Sequence, residues 1–101
     1  MEKYIVRLLP PAYHDIDALY RYIADELFAP VTADKYVDGI YDTIAGLVWV
    51  GGSLAVSQNE YIQKHYGPDA RTIRYKKITI IYNVVKDIVL VRRVMASSLI
   101  Q

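Results

Sequence analysis

The sequence predicts an α+β domain, with two N-terminal helices packed on one face of a small antiparallel β-sheet, in the order β-α-α-β-β-β. Three observations predict it. Apolar residues recur at helical spacing over two segments between residues 11 and 50. The last third is rich in β-branched residues instead, as pleated, buried strands are. The chain has 101 residues, 53% hydrophobic and 23% charged. That is enough for one core and too little for two ordinary domains, so residues 1–101 read as a single domain.

Each element follows in order. Lys3 to Leu9 alternates loosely and stops at Pro10-Pro11, as a short strand does, because proline cannot continue a central ladder. Pro11 also suits the first position of a helix. The stripe Ala12, Ile16, Leu19, Tyr20, Ile23, Leu27 then keeps one helical face apolar, and Pro30 is expected to end it. Thr32 reads as the N-cap of a second helix with the stripe Ala33, Tyr36, Val37, Ile40, Tyr41, Ile44, Leu47, Val48. Gly51-Gly52 stops that helix. Gly39 and Gly46 inside it each cost about 1 kcal/mol against alanine, which suggests close contact with the first helix. Residues 53–70 read as a loop holding at most a short strand or turn, closed by Gly67-Pro68-Asp69. Strands follow at Thr72–Lys76, Ile78–Val85 and Ile88–Met95, with Lys86-Asp87 as a two-residue turn. The first strand is expected to pair with one of the later ones.

Composition narrows the chemistry. There is no cysteine, so neither a disulfide nor a thiolate nucleophile is available, which suits a reducing cytoplasm. The start of the chain, Met1-Glu2-Lys3-Tyr4-Ile5-Val6-Arg7, lacks the pattern of a signal peptide. No apolar run approaches a membrane span, and a cytoplasmic protein is expected. His14 and His65 are far apart and show no metal-ligand spacing, so no metal and no cofactor is expected. The net charge is +1, but the charges are segregated. Asp15, Asp17, Asp25, Glu26, Asp34, Asp38 and Asp42 fall in the first half. Lys64, Arg71, Arg74, Lys76, Lys77, Lys86, Arg92 and Arg93 follow residue 63. A basic C-terminal face of this kind fits phosphates or an acidic partner. Ten tyrosines supply core and a sticky surface for a protein partner.

The order of residues also resembles a known family. Pro10-x-Ala12-x-x-Asp15-Ile16-x-x-Leu19-x-x-Tyr22-Ile23 is similar to the first helix of the RelE/ParE toxin superfamily, which includes plasmid stabilisation proteins. Ala33, Tyr36, Ile40, Ile44 and Leu47 resemble its second helix. Arg71, Tyr75, Ile80-x-Tyr82-x-Val84 and Val89-x-Val91-x-Arg93-Val94 resemble its C-terminal strands. The resemblance spans nearly the whole chain. It implies the growth-inhibiting toxin of a bacterial type II toxin–antitoxin system, neutralised by a cognate antitoxin, as a homodimer or a hetero-oligomer with it. RelE-like members cleave messenger RNA on the ribosome. ParE-like members act on DNA gyrase without a nuclease site.

Both branches stay open on the residues. RNA cleavage through the ribose 2′-OH needs a base, an acid and cations for the phosphate. The candidates are Arg71, Arg74, Lys76 and Lys77 for the phosphate, with Tyr82, Tyr75 or His65 assisting. The same cations also read as the solvent face of an amphipathic strand. Thr79 or its neighbours stand where RelE-like toxins often place an arginine. The family usually continues after Val94 with His or Tyr and further bases. This chain continues Met95-Ala96-Ser97-Ser98-Leu99-Ile100-Gln101, which departs from the ParE ending as well. A degenerate toxin that only binds antitoxin is the third alternative. Arg92 and Arg93 are adjacent, so regular strand geometry would send them to opposite faces, one of them free to bridge Asp15 or Asp38.

Overall fold

The computed structural model describes residues 3–101; Met1 and Glu2, from which part of the leader reading was made, lie outside the described residues. The first strand, β1, spans Ile5–Leu8. Helix α1 (Pro10–Arg21) follows directly and runs into one π-helical turn, Tyr22–Glu26. Helix α2 spans Pro30–Val50 and a short helix α3 spans Glu60–Tyr66. Strands β2 (Arg71–Tyr75), β3 (Ile78–Val85) and β4 (Ile88–Ala96) complete the chain, before a 3-10 turn at Ser97–Leu99.

The sheet order is β1-β4-β3-β2. The α+β class and the order of the main elements are those the sequence predicts. The last three strands form the expected antiparallel meander. β1 does pair with a later strand, but it runs parallel to β4, so the sheet is mixed. A parallel neighbour needs a long crossover, and the α1–α2 hairpin supplies it.

One core lies between the helix pair and the sheet. Ala12 and Ile16 of α1 and Ile40, Ile44 and Leu47 of α2 meet Ile78, Ile80, Tyr82, Val89, Val91 and Val94. A second, smaller core lies on the other face of the sheet, where Ile62 of α3 packs with Ala70 and Ile81, flanked by Met95 and Ile100.

Three boundaries differ from the expected ones. The first helix is over by Glu26, where the chain widens to a π-turn closed by the Leu27 N–H on the Tyr22 carbonyl at 3.1 Å. Pro30 therefore begins α2 rather than ending α1, because its fixed φ and missing N–H suit a first helical position. Thr32 consequently lies inside the helix, and Ala29 is the N-cap. Within the stretch read as loop, Asn59 caps α3, its side chain accepting the Ile62 N–H at 3.0 Å, and Gly67 ends it at φ 103°. Seven residues with one buried position, Ile62, are too few to show a helical period.

The two glycines of α2 do different work. A Cβ on Gly39 would collide with the ring of Tyr75 on β2, whereas nothing lies within 4 Å of one on Gly46. Gly39 thus lets the helix approach the sheet, not α1. Gly39→Ala should lower stability by about 1–3 kcal/mol in urea unfolding. Gly46→Ala should raise it by about 0.5–1 kcal/mol.

Candidate functional site

The residues singled out as a nuclease site do not assemble into one. Tyr82 and Arg71 are register partners on the helix-facing side of the sheet. Tyr82 is fully buried, and its hydroxyl donates to the Gly51 carbonyl at 2.8 Å. Burial pushes its phenol up to about 12, against a smaller opposing pull from Arg71. The Arg71 guanidinium donates to the carbonyls of Gly52 at 2.7 Å and Leu54 at 2.8 Å. Together the two side chains clasp the connection that leaves α2. Tyr82 presents no proton to an outside substrate, and Nη1 of the half-buried Arg71 is spent on the backbone.

Arg74 is exposed on the opposite face, across from Thr79. Thr79 is buried and shares a hydrogen bond with Ser97 at 2.7 Å. Lys76 and Lys77 are not on a strand. They form the β2–β3 turn, with Lys76 at φ 52° and its ammonium 5.4 Å above Tyr36 and 5.5 Å above Tyr75. Tyr75 itself meets Tyr36 edge to face, with centroids 5.4 Å apart. His65 lies in the last turn of α3, stacked on Tyr61 at 4.3 Å and with Nδ1 2.9 Å from the Tyr61 carbonyl. Among the described residues, no group of three or more His, Cys, Asp or Glu could hold a metal ion.

The structure brings together a different set. β4 carries a bulge: Ile81 pairs with Arg93 while Tyr82 pairs with Val91, so Arg92 is the extra residue. The bulge turns both arginines to the α3 side. Arg92 lies over the Tyr66 ring at 5.4 Å and donates to Asn83 Oδ1 at 2.8 Å. Arg93 reaches the Tyr66 hydroxyl at 3.4 Å. The expectation of opposite faces fails here because alternation is reset by one inserted residue.

Arg93 also makes the bridge to Asp15 that was one of its two expected partners. Nε donates to Oδ2 at 2.7 Å and Nη2 to Oδ1 at 2.9 Å. The Val94 N–H adds a third bond to the same carboxylate at 2.9 Å. The carboxylate holds the Arg93 guanidinium protonated more firmly than usual. This cluster was half legible: Asp15 and Arg93 stand out as charges inside apolar stripes, but the bulge has no signal in the residues.

The outer surface of the helix pair is the other candidate. Tyr13, Ile16, Asp17, Tyr20, Val37 and Tyr41 line a groove between α1 and α2. At the hairpin tip Phe28 is 86% exposed and Val31 66%. Residues 10–50 carry seven acidic and two basic side chains. The hairpin thus offers apolar and aromatic contacts in a negative field, a surface suited to a protein partner and not to a nucleic acid.

Tyr82→Phe should lower stability by about 1 kcal/mol at neutral pH by stranding the Gly51 carbonyl. The wild type should also lose stability between pH 10.0 and about 12, because the unfolded phenol ionises first. Urea midpoints of Tyr82→Phe should decline less over that range, since Tyr20 and Tyr41 are also pushed up. Asp15→Ala should cost about 1–3 kcal/mol, discounted for the partly exposed guanidinium. Asp15→Asn should cost less in the same titration, since an oxygen for Val94 remains.

No family model and no curated protein matches the chain. Among solved structures, a chain of the chromosomal ParDE TA system from P. aeruginosa superposes with a TM-score of 0.78. The match covers 93% of this chain and 96% of that one, at 21% sequence identity. At that identity it is the fold that is shared. The chain has a RelE/ParE-like α+β fold, the architecture its residue patterns imply.

Proposed function

We propose that the chain is the toxin of a type II toxin–antitoxin pair, acting in the cytoplasm by binding its target rather than by cutting RNA. The likeness to a ParDE chain over 93% of this one carries the toxin half of the reading. The commitment of Tyr82 and Arg71 to structural hydrogen bonds supports the binding half. Arg74 lies on the opposite face of the sheet from Tyr82 and Arg71, and residues Met95 to Gln101 supply no acid, base or cation. Transition-state stabilisation of phosphate cleavage needs several such groups converging on one point. The target that this reading favours is DNA gyrase, as for ParE-like toxins. An antitoxin would neutralise the chain by covering apolar and aromatic surface such as that of the helix hairpin.

Induced expression of the chain alone should arrest growth, leave messenger RNA intact and provoke a DNA-damage response. Co-expression of a short adjacent reading frame should restore growth. Arg74→Ala should remain toxic and folded. Broken messages, with toxicity lost in Arg74→Ala, would establish the ribosome-dependent endoribonuclease instead. Unimpaired growth would leave a degenerate toxin that only binds antitoxin.

A further inference from the structure

The face of the sheet turned away from the helix pair is covered only in part. Where it is covered, the cover is a helix: α3 lays Ile62 against Ile81, and Met95 and Ile100 join them. Beyond Asn83 the same face continues toward the β3–β4 turn with a regular pattern. Ile5, Ile88 and Val85 sit side by side on β1, β4 and β3, because Ile5 pairs with Ile88 and Val85 pairs with Ile88. The next row on that face is Arg7, Leu90 and Asn83, set by the same registers. Val6, Leu8, Val84, Val89 and Val91 between them turn into the main core, which fixes the direction of the others.

The first row is apolar throughout and open to water at its ends, with Ile5 48% and Val85 51% exposed. The second row places an exposed arginine beside a leucine. The bulge adds Arg92 to the same face, two residues on from Leu90, stacked on Tyr66 and hydrogen-bonded to Asn83. Lys86 stands at the turn above the apolar row. Arg7, Arg92 and Lys86, with Asp87 beside Lys86 in the turn, thus border a strip of aliphatic side chains on a sheet face that already accepts one helix lower down.

We infer that this strip, Ile5, Val85, Ile88 and Leu90 with Arg7 and Arg92, docks an acidic amphipathic helix of a partner protein beside α3. Aliphatic rows on a sheet are packed by the apolar stripe of a helix, and the flanking arginines select Glu or Asp along that stripe's margins. A second copy of this chain using the same strip would set arginines against arginines, which disfavours a two-fold pair. The inference stands apart from the toxin reading, since it names a surface and its complement, not an effect on growth.

The test is a methyl and amide NMR titration of the full chain with two synthetic helical peptides of about 16 residues, some 24 Å long. Both carry the same Leu/Ala stripe; one is flanked by Glu and the other by Lys. The Glu peptide should shift the signals of Ile5, Val85, Ile88 and Leu90 and leave Tyr13, Tyr20 and Tyr41 unmoved. Arg7→Glu, which leaves the Arg92–Asn83 bond untouched, should weaken it roughly tenfold, and Val85→Asp should abolish the shifts. Amide spectra of each variant report that the fold persists. Equal binding of both peptides, shifts confined to the helix hairpin, or no binding would overturn the proposal. A single-stranded oligonucleotide that moved the same methyls more tightly than the Glu peptide would overturn it in favour of a nucleic-acid surface.

Discussion

Asp15 joins three parts of the molecule at one carboxylate. β1 ends at Leu8, and the Leu9 N–H makes the last strand-like bond to β4, on the Val91 carbonyl at 3.0 Å. Past that point the outer edge of β4 has no strand beside it among the described residues. The chain turns into α1 instead and lays that helix along the open edge, where Asp15 takes the Val94 N–H and both arms of the Arg93 fork. An unpaired edge is thereby covered by a helix whose side chain replaces the missing strand's carbonyl. The placement of α1, the bulge at Arg92 and the position of Tyr66 all follow from that junction.

The bulge and the junction belong together. Without the inserted Arg92, residue 93 would face the main core and Val94 would face away from it. With it, Val94 joins Val91 in the core while Arg93 stays at the margin, within reach of both α1 and α3. One extra residue thus reconciles a continuous apolar face with a charged anchor in the same strand. It also places Arg92 on the same face of the sheet as Arg7.

Side chains of catalytic type serve the architecture in this chain. Tyr82 and Arg71 tie the exit of α2 to the sheet through backbone carbonyls. Lys76 and Tyr75 close the β2–β3 turn against Tyr36, and the absent Cβ of Gly39 leaves room for the Tyr75 ring. Charge is sorted by layer: the helix hairpin is acidic, and the strands with their turns carry most of the cations. Two surfaces of opposite sign on one small domain suit two different protein contacts.

The sequence by itself determined the class, the order of the main elements and most of the core. Stripes such as Ile40, Ile44 and Leu47 repeat at a period that belongs to one kind of element, and Ile78–Val85 has the β-branched density of a buried strand. Local patterns could not reach further. The parallel direction of β1 depends on where a two-helix crossover returns the chain. The brevity of α3 hides its period, so only Asn59 and Gly67 mark it. The roles of Arg71, Tyr82, Arg92 and Arg93 turn on partners 9 to 78 positions away and on a single inserted residue. Whether a cation or a phenol is a reagent or a strut is set by what lies across from it, and only the tertiary structure decides that, because opposition in space is not written in spacing along the chain.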